Sequence, residues 1–346
     1  MAIGIALIGS GIFAKEEHLP AIQDTPSLHL KAVYSRTLKS AQALAEKLSD
    51  VALYSDDQDD GKKFDDLLQR DDIQAVVIAL PILAQPTYIK QALAAGKHVL
   101  AEKPIAHDVA TAQSLLSWTC DAKNASATYR VAENFRFLDS FTWAAQQLAS
   151  LGRVLTFGVR VAAMVHAGSK YYETSWRQKP EYQGGFVLDG GIHFVAATRL
   201  LLHGAGGRKI TKAAAFTAQL QPHLPPVDTL NATLQLDNGA SGTFSVSFGT
   251  SDSASEYLVA CERGTVHVSR GKVVVRRQGR EDAEETREFP GEGNGVKSEI
   301  KAWAQSLEQG CPNEMQSPQE ALSDLQVLEA CLKSGGQGGT PVEVQQ

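Results

Sequence analysis

The stretch Ile3-Gly4-Ile5-Ala6-Leu7-Ile8-Gly9-Ser10-Gly11-Ile12-Phe13-Ala14 decides how the rest of the chain is read. Six residues of strand character run into a glycine pair, and residues with helical apolar spacing follow (Ala14–Gln23). Gly9 suits a tight turn after the strand. Gly11, having no side chain, lets a pyrophosphate approach the backbone, and the small Ala14 permits close packing of helix on strand. The helix start adds amide donors and a favourable dipole for phosphate. Ser10, Ile12 and Phe13 complete the turn, which is read as a dinucleotide-binding loop.

Working outward, the next 120 residues repeat the alternation. Strands are expected at Leu28–Ser35, Val51–Tyr54, Ala75–Ala79, His98–Ala101 and Ser126–Ala132, and helices at Lys39–Leu48, Lys62–Gln69, Ala84–Ala95 and Val109–Lys123. Strands apolar on both faces and joined by helices imply a parallel sheet covered on each side. The acidic run Asp56–Gly61 reads as a solvated loop. Beyond residue 135 the texture changes. Helices at Ser140–Leu151 and Ile192–Leu202 precede and follow a strand at Val154–Val165. Strand-like runs then crowd together at Lys209–Ala218, Leu230–Leu236, Ser241–Phe248, Glu256–Cys261, Thr265–Ser269 and Lys272–Arg277. Leu230, Ala232, Leu234 and Leu236 alternate with polar residues, as in a strand with one buried face. Asp237-Asn238-Gly239 marks a hairpin turn. Helices at Lys297–Gln309 and Pro318–Lys333 end the pattern. The fold expected is an α/β chain. A Rossmann dinucleotide-binding domain spans 1–133, and an α+β domain with a large open, mainly antiparallel sheet spans 134–335. A flexible, Gly-rich tail covers 336–346.

Three further groups carry chemistry. The second strand ends Ser35-Arg36-Thr37, with Lys39 behind, where an NAD binder usually places an acidic residue for the ribose hydroxyls. Ser35 can donate a hydrogen bond, and Arg36 can pair with a 2′-phosphate, so NADP(H) is the expected cofactor. Ala101-Glu102-Lys103-Pro104 follows the fifth strand, and strand C-terminal ends form the ligand crevice of such sheets. A lysine there can exchange a proton with a substrate oxygen. In the second half, Trp176-Arg177 precedes Gly184-Gly185-Phe186-Val187-Leu188-Asp189-Gly190-Gly191-Ile192-His193. Asp189 and His193 come to one side of a first helical turn. Taken alone, His193 reads as a structural histidine. With Lys103 and Asp189 it completes a proton-handling set for alcohol/carbonyl interconversion.

The GSGIFA turn, the AEKP tetrapeptide and the LDGGIH segment, in this order, resemble the Gfo/Idh/MocA family, the glucose–fructose oxidoreductase and inositol dehydrogenase relatives. The resemblance runs from about residue 3 to residue 335. Glu133-Asn134-Phe135 and Ser175-Trp176-Arg177-Gln178-Lys179-Pro180 look closest to a fungal NADP(H)-preferring branch. The resemblance implies Lys103 as the catalytic lysine, His193 as proton donor or acceptor, and Asp189 as its neighbour. It implies that Glu102 approaches the nicotinamide-side ribose, that Leu80, Pro81 and Asn134 line the cofactor cleft, and that Arg177 reaches cofactor or substrate. It also implies oligomerisation through the C-terminal sheet.

Composition bounds the alternatives. Apolar residues make up 43% and charged ones 21%, as in ordinary globular chains. The net charge of −6 argues against nucleic acid as a partner. Four scattered cysteines without ligand spacing predict neither a structural metal nor a disulfide. The short, glycine-broken N-terminus reads as a strand rather than a signal peptide, and no run approaching the roughly 18 apolar residues of a membrane span was expected. With the sheet interface that the resemblance implies, a cytoplasmic homodimer, or dimer of dimers, acting on a small molecule is expected. The reaction expected is hydride transfer between nicotinamide and a sugar, polyol or small carbonyl or alcohol compound. Reduction of a conjugated or C=N bond, or a non-catalytic NADP(H)-binding regulator, are the competing readings.

Overall fold

The computed structural model describes residues 2–58, 61–121, 127–279 and 284–345. Asp59 and Asp60 of the acidic run, Lys123 at the expected end of a helix and Ser126 at the expected start of a strand lie outside the described residues. The chain divides into two compact units, Met1–Glu133 with Val296–Leu322, and Asn134–Gly295 with Ser323–Gln346.

The first unit is built on six strands: β1 (Ile3–Ile8), β2 (Leu28–Ser35), β3 (Ala52–Ser55), β4 (Ala75–Ile78), β5 (His98–Glu102) and β6 (Tyr129–Ala132). They lie in the order β3-β2-β1-β4-β5-β6, every neighbouring pair parallel. The order reverses beside β1, and that is where open α/β sheets bind their ligands. After β1 come a π-turn (Ala14–His18) and α1 (Leu19–Gln23). The helices α2 (Leu38–Ala45), α3 (Phe64–Leu68), α4 (Gln85–Ala94) and α5 (Val109–Thr119) then connect successive strands. The π-turn has a local cause. Pro20 brings no N–H for the carbonyl of Glu16 and its ring crowds that carbonyl, and the Leu19 amide bonds instead to Ala14 O, five residues back.

The second unit begins with a 3₁₀ turn (Asn134–Phe137) and α6 (Asp139–Leu148), then β7 (Val154–Met164), α7 (Ser175–Gln178), α8 (Gly185–Asp189) and α9 (Gly191–Gly204). Seven strands follow, β8 (Ile210–Ala218), β9 (Thr229–Leu236), β10 (Ser241–Ser247), β11 (Gly249–Cys261), β12 (Gly264–Ser269), β13 (Lys272–Arg277) and β14 (Glu284–Glu288). After α10 (Val296–Gln309), α11 (Pro318–Gly336) leads to β15 (Val342–Glu343). The nine strands of the sheet run β14-β13-β12-β11-β7-β10-β9-β8-β15, antiparallel except where β7 meets β10. One face is packed: Phe157, Val159, Leu230, Leu234, Phe244 and Tyr257 are buried. On the opposite face Asn231, Thr233, Gln235, Ser241 and Thr243 are exposed, together with Phe216 and Leu258.

Three differences from the sequence reading have physical causes. The helix expected at Lys297–Gln309 was assigned to the C-terminal domain, yet α10 belongs to the first unit. Its apolar side (Val296, Ile300, Trp303, Ala304) joins the core formed by Ile5, Leu7, Val33 and Val77. The tail expected to be flexible is instead held to β8. Val342 and Glu343 pair with Ala213 and Lys212, the Val344 amide donates to Thr211 O at 2.9 Å, and Val344 is buried. Finally, contrary to the expectation of none, Gly185–Gly204 has the length and apolar character of a membrane span; most of it is buried inside the protein, as befits a core helix.

Candidate active site

The glycine turn sits at the end of β1, beside the point of strand reversal. Gly9 has φ +111°, and a Cβ there would stand 2.2 Å from Ala79 O, so a side chain is excluded by conformation and by space. A Cβ at Gly11 would meet nothing within 4 Å. That exposed, side-chain-free backbone is the surface a pyrophosphate needs, and the chain there fits a dinucleotide. The Leu80 side chain lies against Gly9, and Leu80 and Pro81 are half-buried after β4.

The turn is tied to the end of β2 through side chains, the Ser10 and Ser35 hydroxyls being 2.7 Å apart. Arg36, Thr37 and Lys39 are exposed beside them. Thr37 caps α2, its Oγ1 accepting from the Ser40 amide at 3.3 Å. The end of β2 bears no carboxylate, but the adjacent strand brings one close. Asp57, just after β3, accepts from the Leu38 amide at 2.8 Å and from Ser55 Oγ at 2.6 Å. The Ser55 hydroxyl, and then the Leu38 amide, hold its carboxyl below the usual range. The acidic run reads in sequence as a solvated loop, whereas Asp57 is held by two hydrogen bonds. Its signal was there only in three dimensions, because the parallel pairing of β2 with β3 brings Ser35 and Ser55 side by side.

Glu102 and Lys103 are half-buried at the end of β5. Glu102 Oε1 lies 2.7 Å from Nε2 of His18, which is wholly buried at the end of the π-turn. The Phe13 ring meets the His18 ring edge-on at 5.3 Å between centroids. His18 was not singled out from the sequence, where it is one histidine on a helix.

The remaining candidates lie in the second unit. The Arg177 guanidinium lies 4.0 Å from the centre of the Trp176 ring, and its Nε donates to Asp189 Oδ2 at 2.6 Å. Arg177 is thus bound first to its own unit's acid, and Nη1 also reaches Thr174 Oγ1 at 3.3 Å. Asp189 is buried, and its charge adds to burial in pushing up the neighbouring Tyr182 phenol. His193, half-buried in the first turn of α9, stacks on Phe135, with centroids 4.8 Å apart and planes at 19°. The turn bearing Phe135 is anchored by its neighbours. Asn134 Nδ2 donates to Asn294 O at 2.5 Å, and Arg136 pairs with Asp324 of α11, which also binds Arg199 of α9 at 2.5 Å. Asn134 and Phe135 stand in a segment the resemblance already marks, but the stacking of Phe135 on His193 and the Arg136–Asp324–Arg199 anchor are not disclosed by residue patterns. The structure therefore gathers Ser10, Ser35, Arg36 and Thr37 into one group, Glu102 and Lys103 into a second, and Trp176, Arg177 and Asp189 into a third. Among the described residues no three His, Cys, Asp or Glu side chains come together in a metal-binding group.

A six-stranded parallel sheet in this order, with a glycine turn at its reversal point and a lysine after β5, defines a dinucleotide-binding Rossmann fold. Residues 3–130 match the oxidoreductase family's NAD-binding Rossmann fold, and residues 146–344 match its C-terminal alpha/beta domain. The chain belongs to the Gfo/Idh/MocA family of NAD(P)-dependent oxidoreductases. It is 42% identical over 344 residues to Dehydrogenase FPY6 of Fusarium mangiferae, covering 98% of each chain. The crystal structure of an oxidoreductase from Thermotoga maritima superposes with a TM-score of 0.86 at 30% identity, covering 99% of both chains. A dTDP-3,4-didehydro-2,6-dideoxy-alpha-D-glucose 3-reductase from Streptomyces violaceoruber is 30% identical over 202 residues, 58% of this chain and 55% of that one.

Proposed function

We propose that the protein is an NADP(H)-dependent oxidoreductase acting on an oxygen-bearing carbon of a sugar, polyol or small carbonyl compound. The observation that carries the cofactor preference is the end of β2, where the Ser10–Ser35 hydroxyl pair and exposed Arg36 occupy the place of a ribose-binding acid. When bound, the nicotinamide supplies or accepts the hydride. Gly9, Ser10 and Gly11 hold the pyrophosphate, and Ser35, Arg36 and Thr37 the 2′-phosphate. Leu80 and Pro81 line the nicotinamide side, and Glu102 takes a hydroxyl of its ribose. In the reducing direction Lys103 and His193 deliver the proton to the substrate oxygen as charge grows on it, and in the other direction they remove it. Asp189, with Arg177 on its Oδ2, holds the charge balance beside His193. The reductase named above acts on a keto sugar, which supports a carbonyl substrate here.

The test is a panel of sugars, polyols and small carbonyls followed at the absorbance of reduced nicotinamide in both directions, with binding titrations of NADPH and NADH. Tighter NADPH binding is expected. Arg36→Ala should weaken it by roughly 1.5–3 kcal/mol, the scale of a charge-assisted hydrogen bond, with less effect on NADH. Equal affinity of the native protein for both cofactors would overturn the preference.

We further propose that the protein is a homodimer joined through the open face of the nine-stranded sheet. Phe216 is 69% exposed there and Leu258 40%, amid short polar side chains that allow close approach. Light scattering should give twice 37.2 kDa at micromolar concentration, and a monomer would refute the assignment.

A further inference from the structure

We propose that His18 is a positioning residue for Glu102. Through it, the turn that follows the glycine loop sets the carboxylate on the nicotinamide side. The proposal rests on the reading that Glu102 takes a hydroxyl of the nicotinamide ribose.

The His18 ring is wholly buried, and its Nδ1 is buried with no hydrogen-bond partner. Among the described residues Nε2 is its single polar attachment, 2.7 Å from Glu102 Oε1. Burying an imidazole with one nitrogen unsatisfied is costly, and an apolar side chain would fill the same space without that cost. What the ring provides in return is a fixed donor to Glu102. In the tautomer that carries its proton on Nε2, the ring donates to Glu102 and leaves only a lone pair unmet at Nδ1, a cheaper arrangement than an unmet N–H.

The backbone is shaped to deliver this contact. The wider π-turn, imposed by Pro20, inserts an extra residue before Leu19 and so rotates what precedes it by about 100° relative to an unbroken α-helix. His18 ends that turn pointing inward, braced by the edge-on Phe13 ring. In the sheet β4 separates β1 from β5. The His18–Glu102 pair therefore bridges the end of β4, joining the segment after β1 to the end of β5 by side chains alone. Glu102 keeps 12% side-chain exposure, and among the described residues its Oε2 has no hydrogen bond to the protein, so the held carboxylate retains one oxygen for a ligand.

The test compares each intact dinucleotide with its adenine half: NADPH against 2′,5′-ADP, and NADH against ADP, all by calorimetric titration. His18→Leu removes the donor at similar volume. It should weaken the intact dinucleotides about tenfold, the worth of one hydrogen bond to a charged group, and the halves less than twofold. His18→Gln, which can return an amide donor to Glu102, should recover most of the loss, and it carries the same comparison if His18→Leu does not fold. Glu102→Gln tests the underlying reading and should also weaken only the intact dinucleotides. The His18→Leu/Glu102→Gln double variant should lose no more than the worse single one. Equal losses for intact dinucleotide and half would mean a general disturbance of the unit and overturn the proposal. Unchanged intact binding in His18→Leu beside a clear loss in Glu102→Gln would also overturn it. No loss in Glu102→Gln would instead remove the ribose role of Glu102, and the proposal with it.

Discussion

Asp324→Asn is the substitution that weighs most on the second unit's candidate residues. Asp324 is 1% exposed and holds two arginines, Arg136 from the turn after Glu133 and Arg199 from α9. The change keeps the side chain's shape and removes its charge. Removing one partner of a buried ion pair costs about 3–5 kcal/mol, because the remaining charge is left in a poorly solvating interior. In a unit of this size 1 kcal/mol moves the melting temperature by about 2–4 °C, so the drop should be about 6–20 °C. Thermal melting by circular dichroism measures it, and the loss should be nearly the same at low and high salt, since the pair is shielded from solvent ions. The effect should reach His193 as well. Arg136 is the neighbour of Phe135, whose ring stacks on His193, so turnover should fall at temperatures where the variant is still folded. A melting temperature within a degree or two of the native protein would refute the reasoning, for it would mean that the interior at Asp324 solvates the arginines without it.

Other expected outcomes follow from separate parts of the structure. Lys103→Met should lower turnover about 10²–10⁴-fold at saturating NADPH while the cofactor still binds, and combining it with His193→Ala should fall well short of the product of the two losses; near-native turnover of Lys103→Met would end its catalytic role. Trp303→Ala, which empties the largest fully buried side chain from the first unit's core, should cost about 3–5 kcal/mol in thermal or urea unfolding. Burial pushes the Cys331 thiol up to about 12 and the Cys261 thiol up to about 11, with Glu262 adding to the latter. The unfolded thiols ionise first, near pH 9, so stability is full below that pH and declines as pH rises through 11 to 12, with buried Tyr129 and Tyr182 adding to the decline. Melting temperatures from pH 8 to 11 should show the fall, and Cys331→Ala should make it shallower.

The elements readable in advance are those whose side chains face a core. Leu28–Ser35 and Lys272–Arg277 have the bounds their sequence pattern suggests, because alternating or continuous apolar residues mark which backbone must be paired and buried. Glu284–Glu288 escapes such reading: every residue of the strand is exposed, and what holds it is backbone pairing with β13 together with the Arg276–Glu284 and Arg277–Glu285 ion pairs. Likewise β11 begins at Gly249 rather than Glu256, since Ser251, Asp252 and Ser253 carry no apolar alternation. The same limit governs the site. Gly9, Gly11 and Lys103 announce themselves by residue type next to a strand end. His18, Phe135 and Asp324 acquire meaning only from partners 84, 58 and 125 or more positions away, as in His18–Glu102, Phe135–His193 and Arg199–Asp324, and Asp57 is tied to the end of β2 through Leu38, 19 positions back. Such pairings come from sheet order and helix packing, which no local spacing encodes.

The return of α10 to the first unit has a consequence for biosynthesis. A ribosome emits the chain from its N-terminus, and domains generally fold as they emerge. Here the six strands and their connecting helices are complete at Glu133, but Val296, Ile300, Trp303 and Ala304, which close their core, emerge only after the whole nine-stranded scaffold except β15 has been made. The first unit to be started is thus finished late. Until α10 arrives, α1 and the π-turn lack the helix that packs on them, and Leu19, Ile22 and Ala14 lack part of the core they share with Trp303. That interval is when the polypeptide is most in need of a chaperone. A fragment ending at Glu133 would remain in that unfinished condition permanently.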